Sequence, residues 1–149
     1  MGHEAILHGR ILAGDGAGGN RLPHILRLQE RNRAVINRLP REDDWPWLVR
    51  GMFVLPRRWP YGIYRTQVIA FGQSLKDDPC NRTCWDVWLG KFELLLRRLY
   101  WWSAAVYLRT DFESERLFRW QASEEAIARM FADVPEPICQ WTRTMRSEN

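Results

Sequence analysis

TCWDVWLGKFELLLRRLYWWSAAVYLRTDFESERLFRWQ, residues 83–121, holds a helix and a pair of strands in immediate succession. Thr83 followed by Asp86 has capping-box spacing, an acid standing where Glu is commoner, so a helix starts there. Trp85, Trp88, Leu89, Phe92, Leu95, Leu96 and Leu99 recur at helical spacing and fill about a third of the circumference. Asp86, Lys91, Arg97 and Arg98 point elsewhere, and Leu94 is the apolar exception on the polar side. The spacing predicts Trp85, Trp88, Phe92 and Leu96 in the core and Leu94 exposed. Residues 103–110 and 115–121 read as strands, and Asp111-Phe112-Glu113-Ser114 between them has the length of a hairpin loop.

Upstream, residues 4–13 read as a strand running into the glycine cluster 14–19. A helix follows with Pro23 in its first turn, and Ile25, Leu28, Asn32, Val35, Ile36 and Leu39 fall on one arc. Residues 42–47 form an acidic connector broken by Pro46. Residues 51–55 and 64–71 read as two strands of a hairpin whose tip is Pro56 to Gly62. In the second of them, polar Arg65 and Gln67 alternate with Tyr64, Thr66 and Val68. Downstream, Ser123 caps a last helix that Pro135 and Pro137 stop, and the tail forms one amphipathic turn around Ile138, Trp141 and Met145.

The expected fold is α+β over a single domain, 1–149, with residues 146–149 frayed. It has an antiparallel sheet of about five strands and two or three helices. The first six elements follow the split βαβ, ferredoxin-like order, with a strand and a helix added at the C-terminal side. A meander with helices at its ends is the alternative.

The composition, 46% hydrophobic and 27% charged, is that of a globular chain. Nine Trp exceed what a small core needs, so some belong at a surface. Cys80, Cys84 and Cys139 make an odd count without framework spacing and are expected to be reduced. No signal peptide, myristoylation motif or 20-residue apolar span is visible, so the expected home is the cytoplasm, with no membrane contact.

No motif carries chemistry. Gly14 to Gly19 satisfies G-x-G-x-x-G literally, but residues 20–23 separate its last glycine from the helix, whereas a dinucleotide fingerprint runs directly into one. Cys80, Cys84, His3 and His8 make a poor zinc set, because H-x4-H on a strand divides the ring pair between faces. No Ser or Cys has a recognisable His and carboxylate to activate it, and Glu42-Asp43-Asp44 reads as a solvated run. No cofactor, metal or catalytic residue is assigned.

What remains is charge. Residues 1–75 carry eleven Arg against six acids, whereas residues 76–149 are nearly balanced. Arg27, Arg31 and Arg38 lie opposite the apolar arc of the first helix, and Arg57, Arg58 and Trp59 form the hairpin tip. Together they make a candidate partner-binding surface, since Arg, Trp and Tyr are the types enriched at interface hot spots. The plain alternative is a solvated face on an Arg-biased chain, in which 20 of the 22 basic residues are Arg. The expected function is non-enzymatic: binding of a macromolecule, most concretely as an immunity or antitoxin-type inhibitor of a toxic protein with an acidic surface. A nucleic-acid-binding module is the alternative, and an enzyme with a site scattered through the sequence the third reading.

Overall fold

The computed structural model describes residues 3–13, 22–55, 66–77, 83–111 and 115–147. Along the chain come β1 (His3–Ala13), α1 (Leu22–Asn37), a 3-10 turn (Arg50–Met52), β2 (Phe53–Val54), β3 (Gln67–Asp77) and α2 (Thr83–Leu96). β4 (Ser103–Thr110), β5 (Arg116–Ala122), α3 (Glu124–Met130) and β6 (Trp141–Ser147) complete the order. The fold is α+β, with six strands in the order β2-β3-β1-β4-β5-β6 and every neighbouring pair antiparallel. The order is not sequential, which rules out a simple meander. The sheet also differs from a four-stranded ferredoxin-like sheet in continuing through β5 and β6.

Side chains alternate across the sheet, as strand geometry requires. On β1, Ala5, Leu7, Ile11 and Ala13 are buried; their cross-strand neighbours on β3 include Leu75, Ile69 and Gln67, and on β4 Leu108 and Ala104. This is the face that α1 and α2 cover. Phe92 of α2 sits 5.2 Å from Phe71 of β3 and 5.0 Å from Trp120 of β5, ring centroid to ring centroid, so α2 reaches across the sheet. Trp88 stacks on Phe92 at 5.4 Å. Trp85, Trp88, Phe92 and Leu96 are all buried and Leu94 is 65% exposed, as the helical spacing predicts.

Gly9, in the middle of β1, is fixed by close approach. A Cβ there would lie 2.2 Å from the Ala105 carbonyl oxygen and 2.5 Å from the Phe71 ring, so only glycine fits under that ring. Three buried tryptophans find partners for their ring N–H groups: Trp88 donates to the Trp47 carbonyl, Trp101 to the Leu96 carbonyl, and Trp120 to Glu93, whereas the ring N–H groups of Trp45 and Trp102 are buried without one.

The structure corrects the sequence reading in several places. The sheet has six strands rather than about five, because the tail is not an amphipathic turn of helix. Residues 141–147 pair with β5, and the pairing includes Arg146 and Ser147 from the stretch expected to fray. A strand needs apolar residues on one side only, and Trp141 supplies the anchor: its ring lies 5.9 Å from Trp101 and beneath the Arg97 guanidinium at 4.7 Å. The strand expected at 51–55 shrinks to Phe53–Val54 behind the 3-10 turn. β3 runs to Asp77 instead of ending at Phe71, and its phase is opposite to the expected one. Gln67 faces in and Val68 is 42% exposed, because Gln67 has a buried partner in Asn32.

Candidate functional site

α1 presents its apolar arc to the sheet and its arginines to solvent. Ile25, Leu28, Asn32, Ile36 and Leu39 are buried; Arg27, Arg31 and Arg38 are exposed, at positions i, i+4 and i+11 of one stripe. Arg31 is the anchored one. Its guanidinium donates to the Tyr100 hydroxyl at 3.4 Å and lies 5.9 Å from the centre of the Tyr100 ring. The other expected members of this surface, Arg57, Arg58 and Trp59, fall outside the described residues, as do the glycine cluster 14–19, Cys80 and the side chains of His3 and Cys84.

Beneath the stripe lies a polar node inside the core. Asn32 is fully buried; its amide donates to the Tyr100 carbonyl at 2.8 Å and to Gln67 Oε1 at 3.2 Å, while its Oδ1 accepts the Tyr100 N–H at 2.8 Å. Gln67 Nε2 in turn donates to the Gln29 carbonyl. One side chain thereby ties α1, β3 and the turn after α2 together. The adjoining cavity, bordered by Ala13, Ile25, Leu28 and Met130, is about 10 Å³, space for one water at most.

The acidic connector is less solvated than its composition suggests. Lys91 of α2 donates to Asp43 Oδ2 at 2.8 Å and to the carbonyls of Asp44 and Pro46, both at 2.9 Å. Hydrogen bonding to Lys91 is the main cause that holds the Asp43 carboxyl below its ordinary pKa. Trp45, in the same segment, meets Trp47 edge-on at 4.9 Å and Trp85 at 6.1 Å. Asp43 is thus a structural carboxylate that fastens the loop to α2.

A second arginine surface, which sequence reasoning did not single out, lies on the other side of the sheet. The alternate residues of the strands point there: His8 and Arg10 of β1, Tyr107 and Arg109 of β4, Leu117 and Arg119 of β5, Thr144 and Arg146 of β6. Arg10, Arg109, Arg119 and Arg146 are exposed, and none makes an ion pair among the described residues. His8 and Tyr107 are cross-strand partners with rings stacked 4.9 Å apart and 10° from parallel. Period-two placement of Arg on three strands was readable in the sequence; that those strands are neighbours was not.

Among the described residues no three His, Cys, Asp or Glu side chains come together as a metal-binding group, and no helix is long and apolar enough to cross a membrane. Cys139 is an exposed free thiol. No family model matches the chain, and no curated protein or solved structure matches it either.

Proposed function

We propose that this is a non-enzymatic protein that binds another macromolecule, most concretely an inhibitor of the immunity or antitoxin type whose target carries an acidic surface. The observation that carries the proposal is the exposed stripe Arg27, Arg31 and Arg38 on a helix whose other face is locked into the core. A helical backbone presents these cations without a backbone ordering cost, which suits rapid, charge-steered association. Arg57, Arg58 and Trp59 belong to the same proposed surface. The cytoplasm is the proposed compartment. We also take the β2-β3-β1-β4 part of the sheet as a split βαβ, ferredoxin-like unit, a reading supported by two helical crossovers that each pass over one strand.

The test is capture of a partner from the native host, followed by association and dissociation rates for variants. Replacing Arg27, Arg31 and Arg38 together by Ala is expected to slow association at low salt, and Trp59→Ala to speed dissociation. Wild-type rates in both would refute this surface.

A further inference from the structure

We propose that the face of the sheet that no described helix covers is a binding surface for single-stranded nucleic acid, with His8 and Tyr107 as the stacking platform and Arg10, Arg109, Arg119 and Arg146 as phosphate contacts. This goes beyond the α1 stripe and does not depend on it, because the two surfaces lie on opposite sides of the sheet.

Three observations converge. The first is charge: four arginines from β1, β4, β5 and β6 share one face and are exposed. Arg10 and Arg119 both pair with Ala105, which puts them in one cross-strand row on either side of a methyl group. Arg146 is opposite Leu117 in the next row, the row of His8 and Tyr107. Adjacent rows on one face are about 6.8 Å apart and strands about 4.8 Å apart, so the guanidinium groups, on long stems, can follow a flexible polyanion.

The second observation is the ring pair. His8 and Tyr107 present parallel planes on the exposed side of the two central strands β1 and β4. On the other side of His8 its cross-strand neighbour is Gly72, whose missing Cβ would have stood 3.1 Å from the His8 Cβ. The outer plane of the imidazole is therefore not walled off by its neighbour on β3. A base entering beside His8 continues an existing stack, and stacking of this kind accepts any base because every base has a π-face.

The third is shape. The floor between Arg10 and Arg119 is the methyl group of Ala105 on β4, Ala70 and Gly72 on β3 extend it beyond Arg10 and His8, and Leu117 on β5 separates Tyr107 from Arg146. Such a floor admits unpaired bases but offers nothing that reads the groove of a duplex. A second copy of the chain is a poor occupant, since a two-fold contact would press the four arginines against their own images. Among the described residues the acids of this face lie at its other end: Asp111 accepts the Glu4 N–H at 2.7 Å, Glu4 accepts from Ser74, and Glu115 precedes β5 two residues before Leu117. They leave the Arg10 and Arg119 row clear.

Fluorescence anisotropy with a labelled oligothymidylate of about 15 nucleotides, near the upper site size of a single-strand-binding fold, tests the proposal. Binding is expected at low salt. Log affinity should fall against log salt with a slope near −2.8, about −0.7 for each of four phosphate contacts. Arg119→Ala should flatten the slope by about 0.7. Tyr107→Leu should leave the slope unchanged and weaken binding about tenfold, the loss of one stacked base. His8→Ala is a second stacking variant, and a thermal melt of each shows that it folds. Arg98→Ala, at an exposed arginine just after α2 and outside both surfaces, serves as the control and should bind as wild type. No binding at low salt overturns the proposal. So does binding that ignores both ring variants, duplex bound as tightly as single strand, or polyglutamate bound as tightly as the oligonucleotide, which would mark a face that meets acidic protein instead.

Discussion

Asn32 and Gly9 illustrate what one position can decide. Asn32 lies on the apolar arc of α1 and looks there like a misplaced polar residue; its amide instead satisfies the N–H and C=O of Tyr100 and reaches Gln67. Its removal leaves buried groups unpaired, each at about 1–3 kcal/mol. We predict that Asn32→Leu, although close in size, lowers unfolding free energy by about 3 kcal/mol in urea titration; an unchanged midpoint would show that these groups find other partners. Gly9→Ala is predicted to be at least as damaging, and Phe71→Leu should not rescue it, because the Ala105 carbonyl as well as the ring occupies the space. Neither role could be read from sequence. Each depends on a residue at least 60 positions away.

Among the elements, α2 was the most legible, because a long run at period 3.6 leaves little freedom in its rotation. Phe92→Ala should cost about 3–5 kcal/mol in chemical denaturation, given its contacts with Phe71, Trp88 and Trp120. The connector between α1 and β2 is held from outside by Lys91. The Asp43 carboxyl is depressed in the folded chain, so its contribution is present above the ordinary carboxylate range and is lost as pH falls through that range toward the lowered value. We predict that Lys91→Met removes this part of the acid dependence of stability and loosens residues 43–47, measured by amide exchange at two pH values. An acid profile equal to wild type would mean that the pair contributes nothing. β6 was the least legible element. Its sequence, WTRTMRS, is exposed on both faces apart from Trp141, so hydrophobic alternation is absent and pairing with β5 supplies what patterning does not. Trp141→Ala should therefore release β6 first, seen as faster exchange of its amides with the Phe92 region unchanged.

For the whole molecule, class and core were legible and the functional surfaces only in part. The α1 stripe follows from helical spacing alone. The opposite face required the strand order, since Arg10, Arg109, Arg119 and Arg146 are scattered over 137 positions and become neighbours only through β1-β4-β5-β6. That same order has a consequence for how the protein is made. β1 is the earliest of the strands to leave the ribosome and sits inside the sheet, with Leu12 opposite Val68 on one side and Ser103 on the other. At roughly 5–20 residues per second, about 5–18 s separate synthesis of Leu12 from that of Ser103. Throughout that interval Leu7 and Ile11 belong to a nascent strand with one or both edges open, a substrate for chaperones. For β5, by contrast, Gln121 follows its β4 partner Ser103 by only about 1–4 s at the same rate.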